Sequence, residues 1–109
     1  MKLRFTLLLV SLATLVSTGC FRKDVRTIEV SVPQMKSVDC SKLIQEALAK
    51  TDGIKSAVPD LDKKIISIEY EALKLGIKNI EFVIAGAGFD ANDIEAPADV
   101  RTNLPPDCR

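Results

Sequence analysis

The sequence predicts an α+β domain in which two helices pack on one face of a four-stranded antiparallel sheet. Segments with alternating apolar residues, which indicate strands, are interspersed with segments whose apolar residues recur at helical spacing. Their order along the chain is strand, helix, strand, strand, helix, strand. Two right-handed crossovers joined in this way give the ferredoxin-like βαββαβ sandwich, with the strands in the order 4-1-3-2.

The first strand and the first helix follow from apolar spacing and from the residues at their ends. Thr27–Val32 alternates polar and apolar residues, and Pro33 ends the run. Ser37 or Asp39 can cap the next helix, because a short polar side chain accepts a hydrogen bond from a helix N-terminus. Gly53 is predicted to close this helix in the left-handed conformation. The buried stripe of the helix is predicted at Leu43, Ile44, Ala47 and Leu48.

The second half of the domain repeats the pattern. Ile54–Asp60 is the second strand, and Pro59 indicates an edge position because proline cannot donate a hydrogen bond to a sheet. Lys64–Tyr70 is the third strand, the second helix covers about Gly76–Ala87, and Phe89 begins a short fourth strand. The inward residues predicted for the third strand and second helix are Ile66, Ile68, Tyr70, Ile77, Ile80, Val83 and Ile84.

Residues 1–19 have the layout of an export signal. The basic start Met1–Arg4 precedes the apolar run Phe5–Val16, and the small residues Ser17–Gly19 follow. The run is shorter than the roughly 20 apolar residues of a membrane-spanning helix. Val16–Cys20 is similar to a bacterial lipobox, which implies that Cys20 is acylated and becomes the mature N-terminus. The alternative is an ordinary cleaved signal whose first mature residue is a cysteine.

This pattern predicts the domain organisation and the location of the protein. A tether at residues 20–25 leads to a domain at 26–95 and a C-terminal tail at 96–109. We expect an exported protein on the periplasmic side of the cell envelope, anchored through lipid on Cys20. In a Gram-negative host, Phe21 after the cysteine implies the outer membrane.

Charge and composition exclude several functions. The chain has 15 basic and 15 acidic residues, and loss of Lys2 and Arg4 with the signal leaves a net charge of −2. A nucleic-acid-binding protein would need a basic face. The chain has no histidine, so zinc hydrolases and histidine-assisted nucleophiles lack their usual residues. We therefore expect neither an enzyme nor a nucleic-acid-binding protein.

The loop between the first strand and the first helix carries a family resemblance. In Met35–Cys40 a methionine stands five residues before a cysteine, and Ser37 stands three before it. This loop, the turn Asp52–Ser56, the Gly-aromatic segment Ala87–Ala91 and the topology together resemble the heavy-metal-associated domain over Thr27–Asn92. Copper chaperones, the N-terminal domains of metal ATPases and the periplasmic mercury-binding protein share that domain.

The resemblance implies a soft-metal site that Ser37 alters. The family loop reads Met-x-Cys-x-x-Cys, and Ser37 stands where the family has its first metal-binding cysteine. A serine hydroxyl is a hard ligand, so it cannot replace a thiolate for copper(I) or mercury(II). Cys40 is the remaining thiol of the loop, at a helix N-terminus where the dipole favours the thiolate.

The tail contains a second thiol. Leu104–Arg109 resembles the Leu-Pro-x-Cys-Cys ending of some exported domains of this family, with Cys108 as the one cysteine retained. The tail has about 15 residues and spans ~45 Å when extended, so Cys108 can reach the loop. Three interpretations of Cys40 and Cys108 stay open: a shared clamp for a soft metal, a disulfide in an oxidising compartment, or two separate remnants.

Three neighbours of the metal loop have supporting roles. Met35 is interpreted as packing beneath the loop, as in the family, with a thioether ligand as the alternative. Ser37 is interpreted as a loop or cap residue. Phe89 is interpreted as a hydrophobic lid near the loop, with a plain core residue as the alternative.

These observations predict an exported, membrane-tethered module that carries or sequesters a soft heavy-metal ion through Cys40 and Cys108. The ion is copper(I) or mercury(II), and it would pass by ligand exchange to a metal transporter or another thiol-bearing metal protein. We expect a monomer. The alternative is a non-metal-binding interaction module of the same fold, stapled by a Cys40–Cys108 disulfide.

Overall fold

The computed structural model describes residues 24–109, and the main elements follow the predicted order. The α+β ferredoxin-like architecture is confirmed. No helix in this part of the chain has the length and apolar character needed to cross a membrane. The export signal, Cys20 and residues 20–23 of the tether lie outside the described residues. The elements are β1 (Val25–Ser31), α1 (Val38–Ala49), β2 (Ile54–Asp60), β3 (Ile65–Glu71), α2 (Ile77–Gly86), α3 (Ala98–Arg101) and a 3-10 helix (Pro106–Cys108).

β3 is the central strand of an antiparallel sheet in the order β1-β3-β2. β1 pairs with β3 along its whole length, from Val25 opposite Glu71 to Ser31 opposite Ile65. β2 lies at an edge, as Pro59 predicts, and its register shifts near its start. The sheet therefore has the predicted neighbours for its first three strands.

The predicted fourth strand is not formed, so the order 4-1-3-2 is not shown and the described residues 24–109 form three strands. After Phe89 the chain turns, and Ala91 forms only an isolated bridge with Ile94. Asn92 has a φ of 52°, which an extended strand does not allow. Instead, the Asn92 N–H donates to the Ser31 carbonyl at 2.9 Å, and its Oδ1 accepts from the Ser31 N–H at 2.9 Å. Asn92 therefore hydrogen-bonds to the end of β1, at the edge where the sequence predicts the fourth strand.

The core lies between the sheet and the two long helices. Ile77 is an exception to the predicted stripe, since it is 48% exposed. The buried face of α2 centres on Ile80, Glu81, Ile84 and Ala85, which leaves Ile77 at the exposed first residue. The fully or nearly fully buried residues of sheet and helices include Val30, Val32, Ile44, Leu48, Ile66, Ile68, Tyr70, Ile80 and Ile84.

Gly53 does not end the first helix, although its φ of 98° is left-handed as predicted. α1 ends at Ala49, and Lys50 caps it in the right-handed conformation. Gly53 lies in the turn that leads into β2, and a Cβ there would be 3.1 Å from the Leu75 side chain. The glycine is needed for that turn.

The tail packs against the domain. Leu104 is 7% exposed and belongs to the same core cluster as Cys108, which is fully buried. Leu104 lies directly over Gly88, since a Cβ on Gly88 would be 2.9 Å from the Leu104 Cγ. Gly88 also has a φ of 105°. The second residue after α2 must therefore be small and left-handed for the tail to pack there.

We expect Gly88→Ala to lower the free energy of unfolding by about 1–3 kcal/mol, because the substitution strains the backbone and pushes Leu104 away. Urea denaturation measures this change. Gly86→Ala is the matched control, since a Cβ there meets no atom within 4 Å. It should leave stability unchanged or raise it by up to about 1 kcal/mol. Wild-type stability for Gly88→Ala would contradict the packing of the tail on this glycine.

Candidate metal site

Ser37 caps α1 and thereby sets the position of Cys40. Its backbone is extended, with φ −139° and ψ 166°, and its Oγ accepts a hydrogen bond from the Cys40 N–H at 3.3 Å. This is the usual interaction of an N-cap serine with the third residue of a helix. Of the two predicted caps, the structure uses Ser37, while Asp39 is exposed in the first turn. Cys40 is fully buried on the inner side of that turn.

The tail brings Cys108 to the same place. Cys40 and Cys108 form a disulfide with a Cα–Cα distance of 5.7 Å, across a sequence separation of 68 residues. Both side chains are fully buried. The two sulfurs are therefore not separate remnants. A dithiolate clamp would require the same proximity as this disulfide, and differs from it in redox state.

A carboxylate also lies at the site, which sequence reasoning missed. The sulfurs of Cys40 and Cys108 and a carboxylate oxygen of Asp107 all lie within 4.8 Å of one another. The Ser37 Oγ lies 3.2 Å from the Cys40 Sγ and 3.2 Å from the Asp107 Oδ2, so its proton can be donated to either atom. Asp107 is exposed, which places the carboxylate on the solvent side of two buried sulfurs. Because Asp107 directly precedes Cys108 in the sequence, a prediction that Cys108 reaches the loop also predicts a carboxylate there.

Polar contacts hold the tail beside the loop in addition to the disulfide. The buried Gln34 side chain links the loop to the segment after α2: its Oε1 accepts from the Asp90 N–H at 2.5 Å and its Nε2 donates to the Gly88 carbonyl at 3.5 Å. The Asp90 carboxylate accepts from the Ala96 N–H at 2.8 Å and from the Arg101 guanidinium. We call Gln34, Asp90 and Arg101 the tail latch. No periodic pattern of residues indicates these contacts.

Met35 and Phe89 are both fully buried in the core cluster that contains the two cysteines. Full burial of Met35 favours the packing interpretation over the ligand interpretation. Phe89 lies in the core rather than as an exposed cover of the loop. Both residues therefore belong to the hydrophobic core that also contains the two cysteines.

Comparison with known proteins assigns the family. Residues 29–90, more than half of the chain, match the heavy-metal-associated domain. The chain belongs to the heavy-metal-associated domain family. The resemblance predicted from the metal loop and the topology is thus confirmed.

Relatives within this family include copper and mercury proteins. The copper chaperone CopZ of Staphylococcus haemolyticus is 30% identical over 61 residues, which cover 56% of this chain and 90% of the chaperone. The mercuric transport protein periplasmic component of Shewanella putrefaciens is 29% identical over 84 residues, which cover 77% of this chain and 91% of that protein.

Solved structures of the family share the fold. Oxidized MerP from Ralstonia metallidurans CH34 matches with a TM-score of 0.60 and 19% identity, covering 63% of this chain and 96% of that chain. A copper binding domain from HMA7, a P-type ATPase, matches with a TM-score of 0.59 and 27% identity, covering 62% and 90%.

We expect reduction of the disulfide to lower the free energy of unfolding by about 4 kcal/mol, because a closed loop of this length restricts the unfolded chain. Urea denaturation with and without a thiol reductant measures the difference. A Cys40→Ser/Cys108→Ser variant should match the reduced protein and should not respond to the reductant. Identical unfolding midpoints for oxidised and reduced wild type would show that the disulfide does not form in solution.

We expect Arg101→Gln to make the disulfide easier to reduce, because the tail latch keeps Cys108 near Cys40 after the sulfur–sulfur bond breaks. The partly exposed Arg101–Asp90 contact contributes about 1 kcal/mol. Its loss corresponds to roughly a fivefold change in the equilibrium constant for reduction of the disulfide by glutathione. Arg26→Gln is the control, since it breaks the exposed Arg26–Asp24 pair near the start of β1. Equal equilibrium constants for both variants would exclude a positioning role for the latch.

Proposed function

We propose that this protein carries or sequesters a soft heavy-metal ion, copper(I) or mercury(II), held between Cys40 and Cys108 when their disulfide is reduced. The observation that supports the proposal is the proximity of these two sulfurs, one at a helix start and one 68 residues later. The chain also belongs to the heavy-metal-associated domain family, and its relatives include a copper chaperone and a mercuric transport protein. The ion is the cargo of the site.

The chemistry of the site fits this cargo. A small thiol reductant supplies two electrons and two protons to the Cys40–Cys108 bond and leaves as its own disulfide. The two thiols then lose their protons as they bind the ion, since the thiolate is the ligand. Thiolate sulfur is soft and favours soft ions. The N-terminus of α1 favours the thiolate form of Cys40, and the neighbouring carboxylate of Asp39 opposes it.

The site would differ from the family loop in the source of its second sulfur. Ser37 occupies the position of the first cysteine and caps α1, and the tail supplies Cys108 in its place. An ion held in this way would leave by ligand exchange, in which an incoming thiolate adds to the ion before Cys40 or Cys108 departs. A metal transporter or another thiol-bearing metal protein would provide that thiolate.

We further propose that the protein works outside the cytoplasm as a monomer tethered through lipid on Cys20. The export-signal pattern of residues 1–19 and the lipobox-like run support this location. A stable disulfide between Cys40 and Cys108 also suits an oxidising compartment. One relative is named as a periplasmic component.

The disulfide favours a second candidate function. In this case the Cys40–Cys108 disulfide stays intact, and the domain binds a protein partner without binding metal. The observation behind it is that the two sulfurs are bonded and fully buried. The edge strand β2 would then pair with a strand of the partner.

We expect the reduced full-length protein to bind one copper(I) or mercury(II) ion per chain and the oxidised protein to bind none. Chelator competition in the absence of oxygen measures stoichiometry and affinity. Cys108→Ser should lose at least about tenfold in affinity, because one of two sulfur ligands is gone. Cys20→Ser is the matched control, since it removes a cysteine that the proposed clamp does not use, and this variant should bind the ion normally.

A reduced wild type that cannot compete with even a weak chelator would contradict the metal-carrier function. If the exported protein also had the mass of the disulfide form under all growth conditions, the stapled interaction module would be supported instead.

A further inference from the structure

We propose that Asp107 is a third ligand of the Cys40–Cys108 site, and that the site therefore selects divalent soft or borderline ions over copper(I). Cadmium(II) and zinc(II), for which a carboxylate is a suitable ligand, belong to the favoured class. The inference rests on the proposed function, because it presupposes that the reduced cysteines bind an ion. It adds a specificity-determining residue that the two-thiol loop of the family does not supply.

The three donor atoms are close enough together to share one ion once the disulfide is reduced. Zinc–sulfur distances are about 2.3 Å and zinc–carboxylate distances about 2.0–2.2 Å, so two donors to one ion lie at most ~4.6 Å apart. Both sulfurs and an Asp107 oxygen already lie within 4.8 Å of one another. Reduction lets the sulfurs separate to the spacing of two ligands. Because Asp107 is exposed, its side chain has room to follow.

Asp107 is held toward the sulfurs by its surroundings. It sits in the 3-10 helix directly before Cys108, so docking of that cysteine also brings the carboxylate to the site. Its Oδ2 accepts from the Ser37 Oγ, which also contacts the Cys40 sulfur. The Nε of the neighbouring Arg109 donates to the Leu104 carbonyl at 2.9 Å and not to the Asp107 carboxylate. Among residues 24–109, Asp107 takes part in none of the ion pairs.

Charge and ligand preference both point to a divalent ion. Two thiolates and a carboxylate carry three negative charges, which a divalent ion neutralises better than a monovalent ion at such short distances. A carboxylate is a hard ligand that suits zinc-like ions, whereas copper(I) prefers soft sulfur and gains little from oxygen. Asp107 should therefore strengthen binding of a divalent ion selectively.

The test compares cadmium(II) and copper(I) as probes on the reduced full-length chain. Asp107→Asn removes the charge but keeps the side-chain size and an oxygen for Ser37. It should weaken cadmium(II) binding by about tenfold or more and change copper(I) binding much less. Asp107→Glu keeps the carboxylate and should retain the preference for cadmium(II). Asp39→Asn is the matched control, because it removes an exposed carboxylate next to Cys40 that is not in the donor cluster.

The outcomes separate this inference from the function on which it rests. A wild type that binds neither probe overturns the metal-carrier function together with this inference. A wild type that binds metal, with an unchanged cadmium-to-copper preference in Asp107→Asn, overturns the role of Asp107 alone. Equal loss of cadmium(II) affinity in Asp107→Asn and Asp39→Asn also overturns it, since general charge would then explain the effect. Unfolding midpoints of the oxidised variants, expected to equal that of the wild type, establish that each variant is folded.

Discussion

The bond between Cys40 and Cys108 joins the first turn of α1 to the end of the tail, and the chemistry of the site depends on it. The domain is small, and a small domain buries only a limited core from which stability can come. A crosslink that spans most of the domain restricts the unfolded chain strongly. The same two sulfurs are the softest ligands at the metal loop. In the proposed function, the disulfide and the metal ion would compete for this one pair of sulfurs, and the redox state would decide between them.

Ser37 shows how the loop accommodates the loss of a thiol. A cysteine at this position would be a metal ligand in the family, but a serine hydroxyl is a better cap for a helix N-terminus. Its Oγ accepts from the Cys40 N–H and contacts both Cys40 and Asp107. Ser37 thus helps to orient Cys40 and Asp107. The second sulfur then has to come from a distant part of the chain.

Delivery of that second sulfur requires a tail that docks without help from the disulfide. Leu104 packs over Gly88, and the Asp90 carboxylate binds the start of the tail and Arg101. Gln34 connects Asp90 to the metal loop itself. If the reduced site binds an ion as proposed, these contacts would reduce the conformational entropy that the tail loses on binding. The tail latch would then raise the affinity of the site without supplying a ligand.

Local patterns in the sequence determined the order of helices and strands, the edge position of β2 and the place of Cys40 at a helix start. Alternation, helical spacing and Pro59 are properties of neighbouring residues, so they could be read without coordinates. The tertiary structure decided that Asn92 ends strand pairing beside β1, that Gly88 receives Leu104, and that Asp107 accompanies Cys108 to the loop. Each of these depends on contacts between residues far apart in the chain. The sequence left the two cysteines open to three interpretations because a tail of that length can reach many places, and only packing against the folded core excludes two separate remnants.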